Sequence, residues 1–195
     1  MQMVFDLKTI LIGTAVVVGG YYGYRHMFGE LEGKDVGRLI QLYSQSQPAR
    51  RMIIRRRAVS VYASGRDYDK VVRALQSRSP DEQALAVIIL REKHEQRSIE
   101  KLMGLLNDSE LSPVVQVELA TTMADFGVME AIPRLIELTD VKEEQSTRAA
   151  AHSALKELTG AGAEVKFGDA TRQHWTHWWK SHGGDRRLRK SKKAG

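Results

Sequence analysis

Residues 117–138 read Val117-Glu118-Leu119-Ala120-Thr121-Thr122-Met123-Ala124-Asp125-Phe126-Gly127-Val128-Met129-Glu130-Ala131-Ile132-Pro133-Arg134-Leu135-Ile136-Glu137-Leu138. Apolar side chains recur here at intervals of three and four, the spacing that lines one face of an α-helix. Gly127 stands where a first helix should stop, and Pro133 falls near the start of a second. The stretch therefore predicts two helices joined by a short turn. From residue 35 onward the same spacing continues with no run of alternating strand pattern, so the expected fold class is all-α.

The boundaries of neighbouring helices are written in the same way. In Ser79-Pro80-Asp81-Glu82 the Ser79 oxygen can accept the Glu82 amide, Glu82 can reach back, and Pro80 takes the first helical position. Ser112-Pro113 is expected to open another helix in the same manner, and Gly160 to end one. A displacement of 33 residues lays Ile99, Leu102, Met103 and Leu105 over Ile132, Leu135, Ile136 and Leu138. One of 31 lays Tyr68, Val71, Val72, Ala74 and Leu75 over Ile99, Leu102, Met103, Leu105 and Leu106. Each of these shorter helices follows a longer partner, at 48–64, 80–93 and 113–126, with a further long helix at about 143–159. Helix pairs repeating every ~30 to 45 residues form an α-solenoid, here of about three to four hairpins, in which stacking supplies the core that no pair builds alone.

The motif Val117-Glu118-Leu119-Ala120-x-x-Met123-Ala124-x-x-Gly127, then Ala131-Ile132-Pro133-Arg134-Leu135-Ile136-x-Leu138, resembles the HEAT-repeat family, including its shorter bacterial relatives. Arg148-Ala149-Ala150-Ala151-x-x-Ala154-Leu155 adds to the likeness, which covers about residues 50–160. The resemblance implies small alanines where paired helices cross. The ending, Leu158-Thr159-Gly160, Phe167-Gly168-Asp169 and Trp175-x-x-Trp178-Trp179, also resembles that of many bacterial HEAT-type domains, where the tryptophan helix would fold back as a cap. A physical reason stands beside the likeness. A solenoid exposes an apolar end face, and Trp175, Trp178 and Trp179 at i, i+3 and i+4 share one helical face suited to cover it. A peptide or lipid groove made by the same indoles is the alternative.

Residues 9–24 form an uncharged stretch between Lys8 and Arg25. Its apolar body includes Ile10, Leu11, Ile12, Val16, Val17 and Val18, and Tyr21, Tyr22 and Tyr24 gather at one end, where ring and hydroxyl suit the boundary of lipid and water. As a helix it reaches about 24 Å, slightly short of a ~30 Å hydrocarbon core, with Met3, Val4, Phe5 and Leu7 available to extend it. The expected organisation is a membrane anchor at 1–28, a juxtamembrane helix and linker at 29–49, the repeat domain with its tryptophan cap at 50–182, and a disordered basic tail at 183–195. A cleavable signal peptide would need small residues at its end, whereas this core runs into Gly-Gly-Tyr-Tyr-Gly-Tyr-Arg. A buried or interfacial helix is the other alternative, given the length and four glycines. Lys8 on one side against Arg25, Lys34 and Arg38 on the other places the repeat domain in the cytoplasm of a single-pass protein.

Composition narrows the chemistry. The chain has no cysteine, which excludes disulfides, thiolate zinc sites and thiol nucleophiles. The net charge of +6 comes from the tail: residues 186–193, with Arg186, Arg187, Arg189 and Lys190 among six cations, and without them 24 cations face 24 acids. His174, His177 and His182 lie near one another in sequence, yet no carboxylate stands at a zinc spacing beside them. No phosphate loop or nucleophile elbow is present. The reading is a nonenzymatic protein with no cofactor, metal or small-molecule substrate.

Arg50, Arg51, Arg55, Arg56 and Arg57 crowd one predicted helix and spread over more than half its circumference. They are candidates for a polyanionic surface, with Asp67 and Asp69 as local partners if the helix is simply a solvated basic face. The expected function is a membrane-anchored scaffold or adaptor that docks a protein partner, with membrane lipid bound through the N-terminal helix. The alternative is an anionic-lipid or nucleic-acid binder using the arginine helix and tail. Nucleic acid is the less favoured because no aromatic residue is interleaved in the tail.

Overall fold

The computed structural model describes residues 29–161 and 165–182. The stretch 9–24, with Ile10 to Tyr24, and the tail cations Arg186, Arg187, Arg189 and Lys190 lie outside the described residues. Among the described residues no helix is long and apolar enough to cross a membrane.

Nine α-helices and three short 3-10 turns make up the described residues, which contain no strand. The helices are α1 (Val36–Ser44), α2 (Pro48–Val61), α3 (Ser64–Ala74), α4 (Pro80–Glu92), α5 (Ile99–Leu106), α6 (Pro113–Asp125), α7 (Ile132–Glu137), α8 (Gln145–Thr159) and α9 (Thr171–His182). Proline occupies the first turn of α2, α4, α6 and α7, where its missing N–H costs no intrahelical bond. The predicted box at α4 forms only in part. Ser79 Oγ accepts from the Glu82 amide at 3.5 Å, but the Glu82 carboxylate takes Ser77 Oγ at 2.7 Å and Ser44 Oγ at 3.1 Å instead of reaching back. Ser112 sits at the N-cap of α6 without a side-chain bond.

The repeat extends into the loops. The Glu95 amide donates to Leu90 O and the Val128 amide to Met123 O, each closing its helix through a residue in the left-handed region, His94 at φ 50° and Gly127 at φ 67°. A 3-10 turn follows in both places, Gln96–Ser98 before α5 and Met129–Ala131 before α7.

The long helices stack in order, α2 on α4, α4 on α6 and α6 on α8. Each short helix leans on the long helix of the next unit: α3 on α4, α5 on α6, α7 on α8. α4 lies at the centre, and Ala84, Leu85, Ala86, Val87, Ile88, Ile89 and Leu90 are all buried. A helix covered on every side needs no polar face, and this explains its continuous apolar run. One hydrophobic cluster extends from Leu31 to Trp178. Leu31, Val36, Leu39 and Ile40 belong to it, and α1 packs on α2, α3 and α4. The folded body therefore begins upstream of residue 50, with Leu31, Val36, Leu39 and Ile40 in its core.

Candidate interaction surface

α2 presents its five arginines unequally. Ile54 and Ala58 face inward and are fully buried, which sends the long cationic side chains to the flanks and the outside of the helix. Arg51 grips Asp81 at the start of α4 through two parallel bonds of 2.8 and 2.7 Å, donates through Nε to Ser46 O at 2.9 Å, and lies 5.3 Å from the centre of the Tyr43 ring. Burial raises the Tyr43 phenol above its usual range, with the Arg51 charge pulling the other way. Arg55 pairs with Glu92 near the end of α4, and Arg50 pairs with Glu30 in the Gly29–Leu31 turn. Three of the five are thus committed to acids of the same chain, none of them Asp67 or Asp69. Arg56 is exposed and Arg57 half-buried, and neither has an ion-pair partner among the described residues. Arg56 lies one turn from Met52, whose side chain is 62% exposed, and from Ser60.

The corner between α2 and α3 is locked from within. The Tyr62 hydroxyl donates to Glu95 at 2.7 Å, and burial followed by that bond pushes its pKa to about 12. Burial pushes the Glu95 carboxyl up, but hydrogen bonds from Ser64, Tyr62 and Arg97 outweigh it and hold the group below the usual range. Arg97 stacks 3.6 Å above the Tyr68 ring and donates to Ser64 O at 2.9 Å. Asp67, wholly buried, accepts from the Ala63 amide at 3.1 Å, Arg66 at 2.9 Å and Lys70 at 3.4 Å. The Arg66 bond is the main reason its carboxyl lies below the usual range.

At the other end α9 packs on α7, and Trp175 is fully buried, Trp178 nearly so and Trp179 half-buried. Trp175 Nε1 donates to His152 Nδ1 of α8 at 2.9 Å. The Trp175 and Trp178 rings meet edge to face at 5.8 Å, and His182 stacks on Trp178 at 4.8 Å. His174 and His177 point to solvent. The Phe167 ring lies tilted 5.5 Å from His152 and 5.4 Å from the Arg148 guanidinium, which also donates to Gly168 O at 2.9 Å.

Clefts indent the described part of the body. One of about 320 Å³ lies between α1, α3 and α4, and its Lys70 is engaged by Asp35 and Asp67. Another of about 430 Å³ lies between α9 and the α7–α8 connection, where Arg172 pairs with Asp140. Lys70 in the first, and Asp140, Asp169 and Arg172 in the second, are engaged in ion pairs. Among the described residues no group of three or more His, Cys, Asp or Glu is placed to hold a metal ion. The Tyr62–Glu95 and His152–Trp175 contacts carry no local sequence signal, because their partners stand 33 and 23 residues apart along the chain.

Comparison with known families finds a match to HEAT repeats over residues 68–156. No curated protein matches the chain.

Proposed function

With HEAT repeats over residues 68–156 as the premise, we propose that the protein is a noncatalytic scaffold which docks a protein partner and is held at a membrane by residues 9–24. The observation that carries this reading is the stack itself. Long helices α2, α4, α6 and α8 follow one another with short helices α3, α5 and α7 beside them, and such an array offers an extended surface to a partner rather than a closed pocket. α9 serves as the lid of the array, burying Trp175 and Trp178 over α8 and α7. The anchor rests on the uncharged run between Lys8 and Arg25, and the excess of cations after it supports a cytoplasmic repeat body.

Crosslinking in intact membranes, followed by identification of what co-purifies, tests the reading. The full chain and a variant lacking residues 1–28 should enrich the same partner, with only the full chain bringing it to the membrane. Failure of either form to enrich any protein removes the scaffold reading. Retention of the partner at the membrane by the shortened form removes the anchor.

A further inference from the structure

Glu30 is ion-paired to Arg50, so the point where the chain enters the folded body is fastened to the first turn of α2. Residues 25–29 alone separate the uncharged stretch from Glu30, and six peptide steps span at most about 21 Å. A bilayer adds roughly 5–8 Å of head groups beyond its hydrocarbon core. If residues 9–24 are embedded, the start of α2 is therefore held within about one to two helix diameters of the lipid surface. This step rests on the anchor proposed above.

We infer that the outer stripe of α2, with Met52 and Arg56 at its centre and Arg57 on its flank, docks on the anionic phospholipid surface into which the anchor inserts. The division of labour among the arginines points the same way. Arg51 and Arg55 are turned toward α4 by Asp81 and Glu92, whereas Arg56 and Arg57 have no ion-pair partner among the described residues, and Arg56 lies one turn from Met52, the most exposed large apolar side chain among them. A protruding thioether one turn from an exposed guanidinium group matches an interface where apolar groups enter and phosphates lie above them.

The absence of cysteine makes a direct test possible. Full-length protein carrying Met52→Cys or Val16→Cys is labelled with an environment-sensitive fluorophore. It is then reconstituted in vesicles of phosphatidylcholine alone or mixed with phosphatidylglycerol, with brominated lipid as quencher. The expected result is quenching at position 16 in both lipids, and a blue shift with quenching at position 52 only in the anionic one. Arg56→Glu with Arg57→Gln should abolish the signal at 52 and leave that at 16 intact, since loss of two cations from an anionic surface weakens contact roughly 30-fold. Quenching at 16 without any response at 52 overturns the docking and leaves the anchor standing. No quenching at 16 overturns both. A response at 52 that appears only in native membranes, and not with purified lipid, assigns the stripe to a protein and overturns the lipid surface.

Discussion

The indole Nε1 of Trp175 donates to Nδ1 of His152 across 2.9 Å, and both rings are buried between α9 and α8. Nδ1 must therefore be bare, with the imidazole proton on Nε2, and a second proton would cost the bond. Burial, and after it the Lys156 charge, hold the His152 pKa below its ordinary 6.5.

The sign of the resulting pH dependence follows from linkage. As pH falls below about 6.5 the unfolded chain takes up the His152 proton before the folded one does, so this contribution to stability is complete above that value and declines toward the lower native pKa. Urea midpoints measured at pH 7.5 and 5.5 should fall on acidification. His152→Gln, whose amide oxygen still accepts the indole N–H but does not titrate, should flatten that part of the decline. An equal decline in the variant would place the effect elsewhere.

Trp175→Ala should cost about 3–5 kcal/mol in equilibrium denaturation, the range for emptying a large buried aromatic site. Trp175→Phe keeps most of the apolar area and leaves His152 Nδ1 without its donor, a penalty of about 1–3 kcal/mol. A change below about 0.5 kcal/mol in both would show that α9 contributes little to the fold.

The arginines of α2 should separate into two classes. Arg51→Ala loses a two-pronged, partly buried pair with Asp81 and the bond to Ser46 O, and should destabilise by about 1 kcal/mol. Arg56→Ala should stay within about 0.5 kcal/mol of the parent. A double-mutant cycle of Arg51 and Asp81 checks the first, with a coupling near zero as the contrary result.

Equivalent left-handed positions carry different residues, and stability should reveal it. His94→Gly relieves a side chain held at φ 50° and is expected to be neutral to stabilising by up to about 1 kcal/mol. Gly127→Ala places a side chain at φ 67° and should cost about 1 kcal/mol. Thermal midpoints of the two variants, moving in opposite directions, are the measurement.

Asp67→Asn keeps an acceptor for the Ala63 amide but removes the charge that engages Arg66 and Lys70, for an expected loss of about 1–2 kcal/mol at pH 7. The native Asp67 pKa lies below 3.8, so its stabilisation is present above that value and is lost as pH falls through the native one. The gap between parent and variant should accordingly shrink when denaturation is repeated near pH 3.

Helix existence was legible because punctuation and period agreed: Pro80 and Pro113 open α4 and α6, Gly127 and Gly160 follow the ends of α6 and α8, and the 33-residue displacement brings α5 onto α7. Destination was not. A 3.6-residue period says that Val36, Leu39 and Ile40 share a face, but not that the face enters the core between α2, α3 and α4. Charge pairing was equally hidden, since the acids that engage Arg50, Arg51 and Arg55 lie 20, 30 and 37 residues away, while the nearer Asp67 is taken by Arg66 and Lys70. The arginine cluster reads as one site in sequence because tertiary structure alone decides which charges are already spent.

The proposed function requires that the run between Lys8 and Arg25 tie the helical-repeat body to lipid. Alkaline carbonate extraction of membranes containing the full chain, beside a variant lacking residues 1–28, tests it most directly. The full chain should remain in the pellet and the shortened form should appear in the supernatant. Release of the full chain would contradict the account.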